Sequence, residues 1–229
     1  MAKITTKNQE KLQQEKVEES VSKVELFFNE NKKKIWGILC AILAIALVIL
    51  AYNHFVRQPK IREAQAESFQ AEKFFREGSF EQALKGDGDM MGFEQLAQEY
   101  GNKAGESVYL YAGLCNLQLG NWEEALSWLN QYSGSETILA ARAIAAQGDA
   151  YCGLEQFENA LAKYEKAARY ANNAYSAEYL LKAAEVAEHI GNTTKALELY
   201  KEIKDQYPGT VQGTMIDKYI TRLENSLEK

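Results

Sequence analysis

Hydrophobic and polar positions follow three different rhythms along this chain. From residue 35 to 52 the sequence IWGILCAILAIALVILAY carries no charge. At about 1.5 Å per helical residue it reaches roughly 27 Å, close to the hydrocarbon thickness of a bilayer. Ahead of it, Val17, Val21, Val24 and Phe28 recur at helical spacing, which predicts an amphipathic helix in the second half of a tail covering residues 1–34. That helix either docks on the cytosolic face of a partner or lies in the headgroup layer. Beyond residue 52 the pattern turns helical and repetitive.

Self-similarity is clearest in GNWEEAL (120–126), EQFENAL (155–161) and GNTTKAL (191–197), which recur at offsets of 35 and 36; a fourth copy, GSFEQAL (78–84), precedes the first of these by 42. A period of this length marks helix-turn-helix repeats. Each copy holds the turn and the start of a second helix, with Ala83, Ala125, Ala160 and Ala196 where close packing demands a small side chain. Twelve residues before the last three stand Gly113, Gly148 and Ala184, small again, so the paired helices can approach. After Leu84 the stretch KGDGDMMG predicts a solvated turn, with the helix resuming from Phe93 to Tyr100. Asp87 and Asp89 lack the remainder of a calcium-loop pattern. Pro59 predicts a kink in a helical linker over residues 53–69. At the far end Val211, Met215, Ile216, Tyr219, Ile220, Leu223 and Leu227 share one helical face, as a helix capping the array over residues 209–229 requires.

The G-x-x-Y of Gly148–Tyr151, the A-x-x-x-aromatic of Ala160–Tyr164 and Ala196–Tyr200, and Pro208 resemble the tetratricopeptide pattern across residues 70–208, or about four repeats with the first degenerate. Asn116 and Ala187 depart from it where an aromatic is expected. The predicted fold class is all-α: one N-terminal transmembrane helix, then a tetratricopeptide-like solenoid with a C-terminal capping helix. Composition agrees, since two prolines and fifteen glycines leave few helix breakers.

Charge refines the picture at the membrane. Trp36 and Tyr52 sit near the ends of the span, and Lys32, Lys33, Lys34 and Arg57 bracket it, as interfacial anchors do. Ala44-Ile45-Ala46 has the small-x-small form of a signal-peptide cleavage site, but the preceding tail is long and the apolar run continues beyond it, which favours an uncleaved anchor. Lys16, Lys23, Lys32, Lys33 and Lys34 on one side outnumber Arg57, Lys60 and Arg62 on the other. That bias predicts a cytoplasmic N-terminus and an exported repeat domain, periplasmic in a bacterial inner membrane. Residues 1–34 hold eight Lys against six Glu, so the net charge of −6 leaves −8 on the remainder. An acidic domain of this kind argues against nucleic acid as a partner.

Little points to chemistry. Cys40, Cys115 and Cys152 show no metal-ligand spacing, and His54 and His189 are the only histidines. Cys115 and Cys152 lie in successive repeats, where pairing or burial as free thiols are both open. No nucleophile, base and orienting group stand in a catalytic motif, and no glycine-rich phosphate loop occurs, so neither an enzyme nor a cofactor is expected. The first helices of the repeats instead offer Ser107, Leu110, Tyr111, Leu114 and Gln118, then Arg142 and Asp149, then Glu178, Lys182, Glu185 and His189 to a concave side suited to an extended partner chain.

The segment Val24-Glu25-Leu26-Phe27-Phe28-Asn29-Glu30-Asn31-Lys32 before the span, and the Leu84-Lys85-Gly86-Asp87-Gly88 break followed by Phe93, resemble the YfgM-type family of membrane-anchored tetratricopeptide proteins. The resemblance implies an accessory subunit of the bacterial Sec translocon, partnered with a SecY-type channel and a PpiD-like chaperone and acting on exported, unfolded chains. A scaffold for another cell-envelope assembly, with no client handling, is the alternative.

Overall fold

The computed structural model describes residues 31–227, so the amphipathic helix expected over residues 17–28 lies outside the described residues. The chain divides into two units, Met1–Pro59 and Lys60–Lys229. Helix α1 (Asn31–Arg76) carries the apolar run: its most apolar 18-residue window has a mean hydropathy of 2.7, and none of that window is buried. This helix is long and apolar enough to cross a membrane. Trp36 and Tyr52 are exposed at the ends of the run, as are Lys32, Lys33, Lys34 and Arg57. Ahead of Pro59 the helix widens into a π-helical turn at Asn53–Arg57, in which the Gln58 N–H reaches back to the carbonyl of Asn53. Proline supplies no N–H and its ring crowds the carbonyl four residues earlier, so a locally wider turn accommodates it.

In the second unit the chain continues through α2 (Phe80–Lys85), the strands β1 (Gly86–Asp87) and β2 (Met90–Met91), and α3 (Phe93–Tyr100). Three helix pairs follow: α4 (Ser107–Leu119) with α5 (Trp122–Gln131), α6 (Thr137–Gly153) with α7 (Phe157–Ala171), and α8 (Ser176–His189) with α9 (Thr193–Gln206). The chain ends in α10 (Val211–Met215) and α11 (Asp217–Leu227). Each helix packs mainly on its sequence neighbours, the quasi-one-dimensional stacking of a solenoid.

The four sequence copies close with the same backbone bond. Ser79, Asn121, Gln156 and Asn192 each donate their N–H to the carbonyl five residues back, on Phe74, Asn116, Tyr151 and Ala187. This is the Schellman closure, whose preceding residue adopts positive φ. Gly78, Gly120 and Gly191 provide it, and Glu155 takes the same place at φ 58°. Where Asn116 replaces the aromatic it is buried but satisfied, donating to the Ala112 carbonyl at 2.9 Å and accepting from Asn121 at 3.2 Å.

Small residues set the helix pairing. Ala83, Ala125, Ala160, Ala184 and Ala196 are fully buried. A Cβ at Gly113 would lie 2.5 Å from Leu129, and one at Gly148 would lie 2.7 Å from the ring of Tyr164. The Tyr164 ring is buried and its hydroxyl is fixed to Asp149, so it has no room to retreat. Gly148→Ala is therefore expected to destabilise, because overpacking of about 1–3 kcal/mol outweighs the ~1 kcal/mol by which alanine is the better helix former. A lower urea midpoint at unchanged m checks this; a higher midpoint would show that the ring yields.

Two expectations need correction. The Lys85–Gly92 break is not a plain solvated turn, because Gly86 pairs with Met91 and Asp87 with Met90 in a short antiparallel ladder. Glycine makes that closure possible: a Cβ on Gly92 would sit 2.3 Å from the Leu84 carbonyl oxygen and the Gly86 nitrogen. The C-terminal apolar positions do not share one buried face, since Val211, Met215 and Leu227 are 71%, 48% and 56% exposed. The helix breaks around Ile216, and only Ile216, Ile220 and Leu223, with Tyr219 beside them, pack on the array. Lys201 to Glu224 (2.8 Å), Lys204 to Asp217 (2.7 Å) and a two-pronged Arg222 contact to Glu188 (2.6 and 2.7 Å) fasten this cap.

Candidate binding groove

Successive first helices of the repeats face a common hollow. Between α4, α6 and α8 a cavity of about 600 Å³ opens to solvent, lined among others by Leu114, Gln118, Arg142, Asp149, Glu178 and Lys182. A smaller hollow of about 310 Å³ shares Cys152, Tyr164 and Lys182 with it and adds Phe157, Glu185, Val186 and His189. The shared walls make the two one groove. Its floor is apolar at Leu114, Leu117, Trp122 and Ala145, and Ile138 and Tyr175 stand exposed along it.

A polar strut ties the floor together. Lys182 of α8 donates to Asp149 Oδ1 of α6 at 2.7 Å, and the Tyr164 hydroxyl of α7 donates to the same oxygen at 2.7 Å. The Cys152 sulfur lies 3.6 Å from that hydroxyl. Burial, and then the neighbouring Asp149 carboxylate, hold the Tyr164 hydroxyl well above the usual phenol range. Burial raises the Cys152 thiol too, against the opposing effect of its hydrogen bond with Tyr164. Farther along, burial and then Glu188 raise the Glu185 carboxyl while Lys182 opposes them. The His189 ring packs 4.3 Å from that of Phe157.

Of the residues expected on the concave side, Leu114, Gln118, Arg142, Asp149, Glu178 and Lys182 line the larger hollow, and Glu185 and His189 line the smaller one with Lys182. Asp149 and Lys182 arrive already paired to each other. Ser107 is half-buried and lines neither hollow. Leu110 is a core side chain at 2% exposure, packed with Ala125, Leu129 and Ala143. Tyr111 also faces inward, with the Phe75 and Phe93 rings at 5.0 and 5.1 Å. In α4 Leu110 is therefore covered by the neighbouring elements, while Tyr111 stays half-buried against the two rings. Trp122, Ile138, Tyr164 and Tyr175 belong to the groove and were not anticipated, because they lie on second helices or at helix starts, outside the repeat places used. An unusually large side chain at a turn, as in Asn121-Trp122 and Ala174-Tyr175, is the signal that marks two of them.

All three cysteines are free thiols; Cys115 is buried on the inner face of α4, and burial pushes its pKa up to about 12. Among the described residues no three metal-ligating side chains converge.

Stacked helix pairs around a concave groove define an all-α repeat solenoid preceded by a long apolar helix. Residues 145–210, which run from within α6 to the start of the capping segment, match the tetratricopeptide repeat family. A comparison with curated proteins gives no match. Repeats of this family commonly serve as protein-interaction modules.

Proposed function

We propose that this protein is a membrane-anchored binding module that holds extended segments of protein partners in the groove between α4, α6 and α8. The observation that carries this reading is the groove itself: a hollow of about 600 Å³ with an apolar floor and the exposed side chains of Ile138, Arg142 and Tyr175 along it. Its geometry suits a chain laid across several repeats, since each repeat contributes one strip of surface.

The finer reading is an accessory subunit of the Sec translocon at a bacterial inner membrane. The N-terminus would be cytoplasmic and the repeats periplasmic, working beside a SecY-type channel and a PpiD-like chaperone on exported chains. It rests on the YfgM-type segments before the span and around Gly86, and on the lysine bias across the span. An anchor adds a physical advantage, because confinement beside a channel raises the effective concentration of the groove toward an emerging chain.

Site-specific photocrosslinking in living cells, with the full chain carrying the probe at Gln118 or Tyr175, tests both levels. Capture of SecY, the chaperone or an exported precursor is expected. Capture confined to cell-division or outer-membrane proteins would remove the translocon reading and leave the binding module. Crosslinks from an outward position such as Glu124 that equal those from the groove would remove the groove as well.

A further inference from the structure

Four charged side chains line the larger hollow, and they are not equivalent. Lys182 and Asp149 neutralise each other at 2.7 Å, and Asp149 Oδ1 also accepts the Tyr164 hydroxyl. Arg142 is exposed on α6 and, among the described residues, has no carboxylate within ion-pair distance. Glu178 occupies the corresponding place 36 residues later, on α8, and it too has no cationic partner there. The two act in opposite senses on Tyr179 between them, Glu178 raising and Arg142 lowering its pKa, while burial is the largest influence. The groove thus offers one uncompensated guanidinium on the α6 side and one uncompensated carboxylate on the α8 side.

Arg142 also has an apolar neighbour. Ile138 lies four residues earlier on α6, on the same helix face, and is 45% exposed in the same hollow. Side chains at that spacing have their Cβ atoms about 5–6 Å apart. In an extended polypeptide, side chains two residues apart point the same way and lie about 6.6 Å apart, whereas adjacent ones point to opposite faces. A guanidinium presents a planar fork of donors that fits a carboxylate two-pronged.

We infer that the groove selects extended segments in which a large apolar residue and an acidic residue stand two positions apart, the apolar side chain against Ile138 and Tyr175 and the carboxylate on Arg142. This rests on the groove reading above and specifies the chemistry of its occupant. Glu178 adds polarity: a second acid on the α8 side is repelled and a basic residue there is favoured. Evenly acidic segments are therefore poorer occupants than ones with a single, well-placed acid.

Fluorescence anisotropy with the full chain in detergent micelles tests the inference. The probes are fluorescein-labelled Gly/Ser-rich twelve-residue peptides whose centres read Phe-Gly-Asp, Phe-Gly-Asn, Phe-Gly-Lys or Phe-Asp. The Phe-Gly-Asp peptide is expected to bind at least tenfold more tightly than the other three. Arg142→Glu is expected to reverse the order, so that the Lys peptide exceeds the Asp peptide. The exposed position leaves the fold intact, which circular dichroism checks. Equal binding of all four peptides, unchanged by Arg142→Glu, overturns the selectivity while the groove reading stands. Failure of every peptide to bind overturns it too, and the crosslinks from Gln118 and Tyr175 then show whether the groove reading falls with it.

Discussion

Replacing Ile42 and Ile45 with arginine is expected to move this protein from the membrane pellet into the soluble fraction. Both residues lie near the middle of the apolar run of α1 and are about 60% exposed, so neither substitution disturbs packing. Near the centre of a spanning helix an aliphatic residue contributes roughly −0.5 kcal/mol and arginine about +3 kcal/mol, so two exchanges cost about 7 kcal/mol. The eighteen residues of the run contribute a sum of similar size, so the pair brings insertion close to balance. The repeat region remains folded in the released protein, because Lys60–Lys229 forms its own unit. Alkaline extraction followed by ultracentrifugation and immunoblotting reads the outcome. If the double variant stays in the pellet as the parent does, the apolar run of α1 is not what holds the protein in the membrane and the anchor reading is wrong.

The long apolar helix and the later repeats were legible in the sequence because each is written in a constraint that only a few residue types satisfy. An uncharged run of this length is legible as one long apolar helix, and Gly113 and Gly148 mark contacts where a larger side chain would collide with Leu129 or Tyr164. The resumption of helix at Phe93 was readable for the same reason, since three glycines leave no doubt about where the preceding helix stops. What was not readable depends on which element covers which. Leu110 and Tyr111 occupy the repeat places that Leu181 and the groove-lining Lys182 hold in α8, yet in α4 they pack against α5, α6 and the irregular first repeat. Val211 and Met215 continue a period that the break around Ile216 rotates away from the core. The Asp149–Tyr164–Lys182 strut joins three helices across 33 residues, a meeting that no local pattern encodes.

The irregular first repeat is where a single truncation is expected to cost most. Phe93 is fully buried and stacks on Tyr111 at 5.1 Å and 12°, while Phe75 meets Tyr111 edge-on at 5.0 Å and Phe80 at 5.5 Å. Around this chain of rings lie Ala64, Ala71, Ala83, Leu84 and Leu96, all buried, with Met91 packed at the edge of the cluster. Phe93→Ala should therefore cost about 3–5 kcal/mol. For a domain of this size that corresponds to a fall of about 6–20 °C in Tm. In a solenoid the loss stays near its origin, because each repeat is held mainly by its neighbours. Hydrogen exchange should accordingly show α2, α3 and α4 losing protection while α6 to α9 keep theirs. The same cluster separates two roles for Tyr111. If its ring is packing and not partner surface, Tyr111→Phe leaves stability nearly unchanged, whereas Tyr111→Ala destabilises as Phe93→Ala does. A Tyr111→Ala variant that melts like the parent, or a Phe93→Ala variant within about 2 °C of it, would mean that the ring cluster does not hold the first repeat to α4.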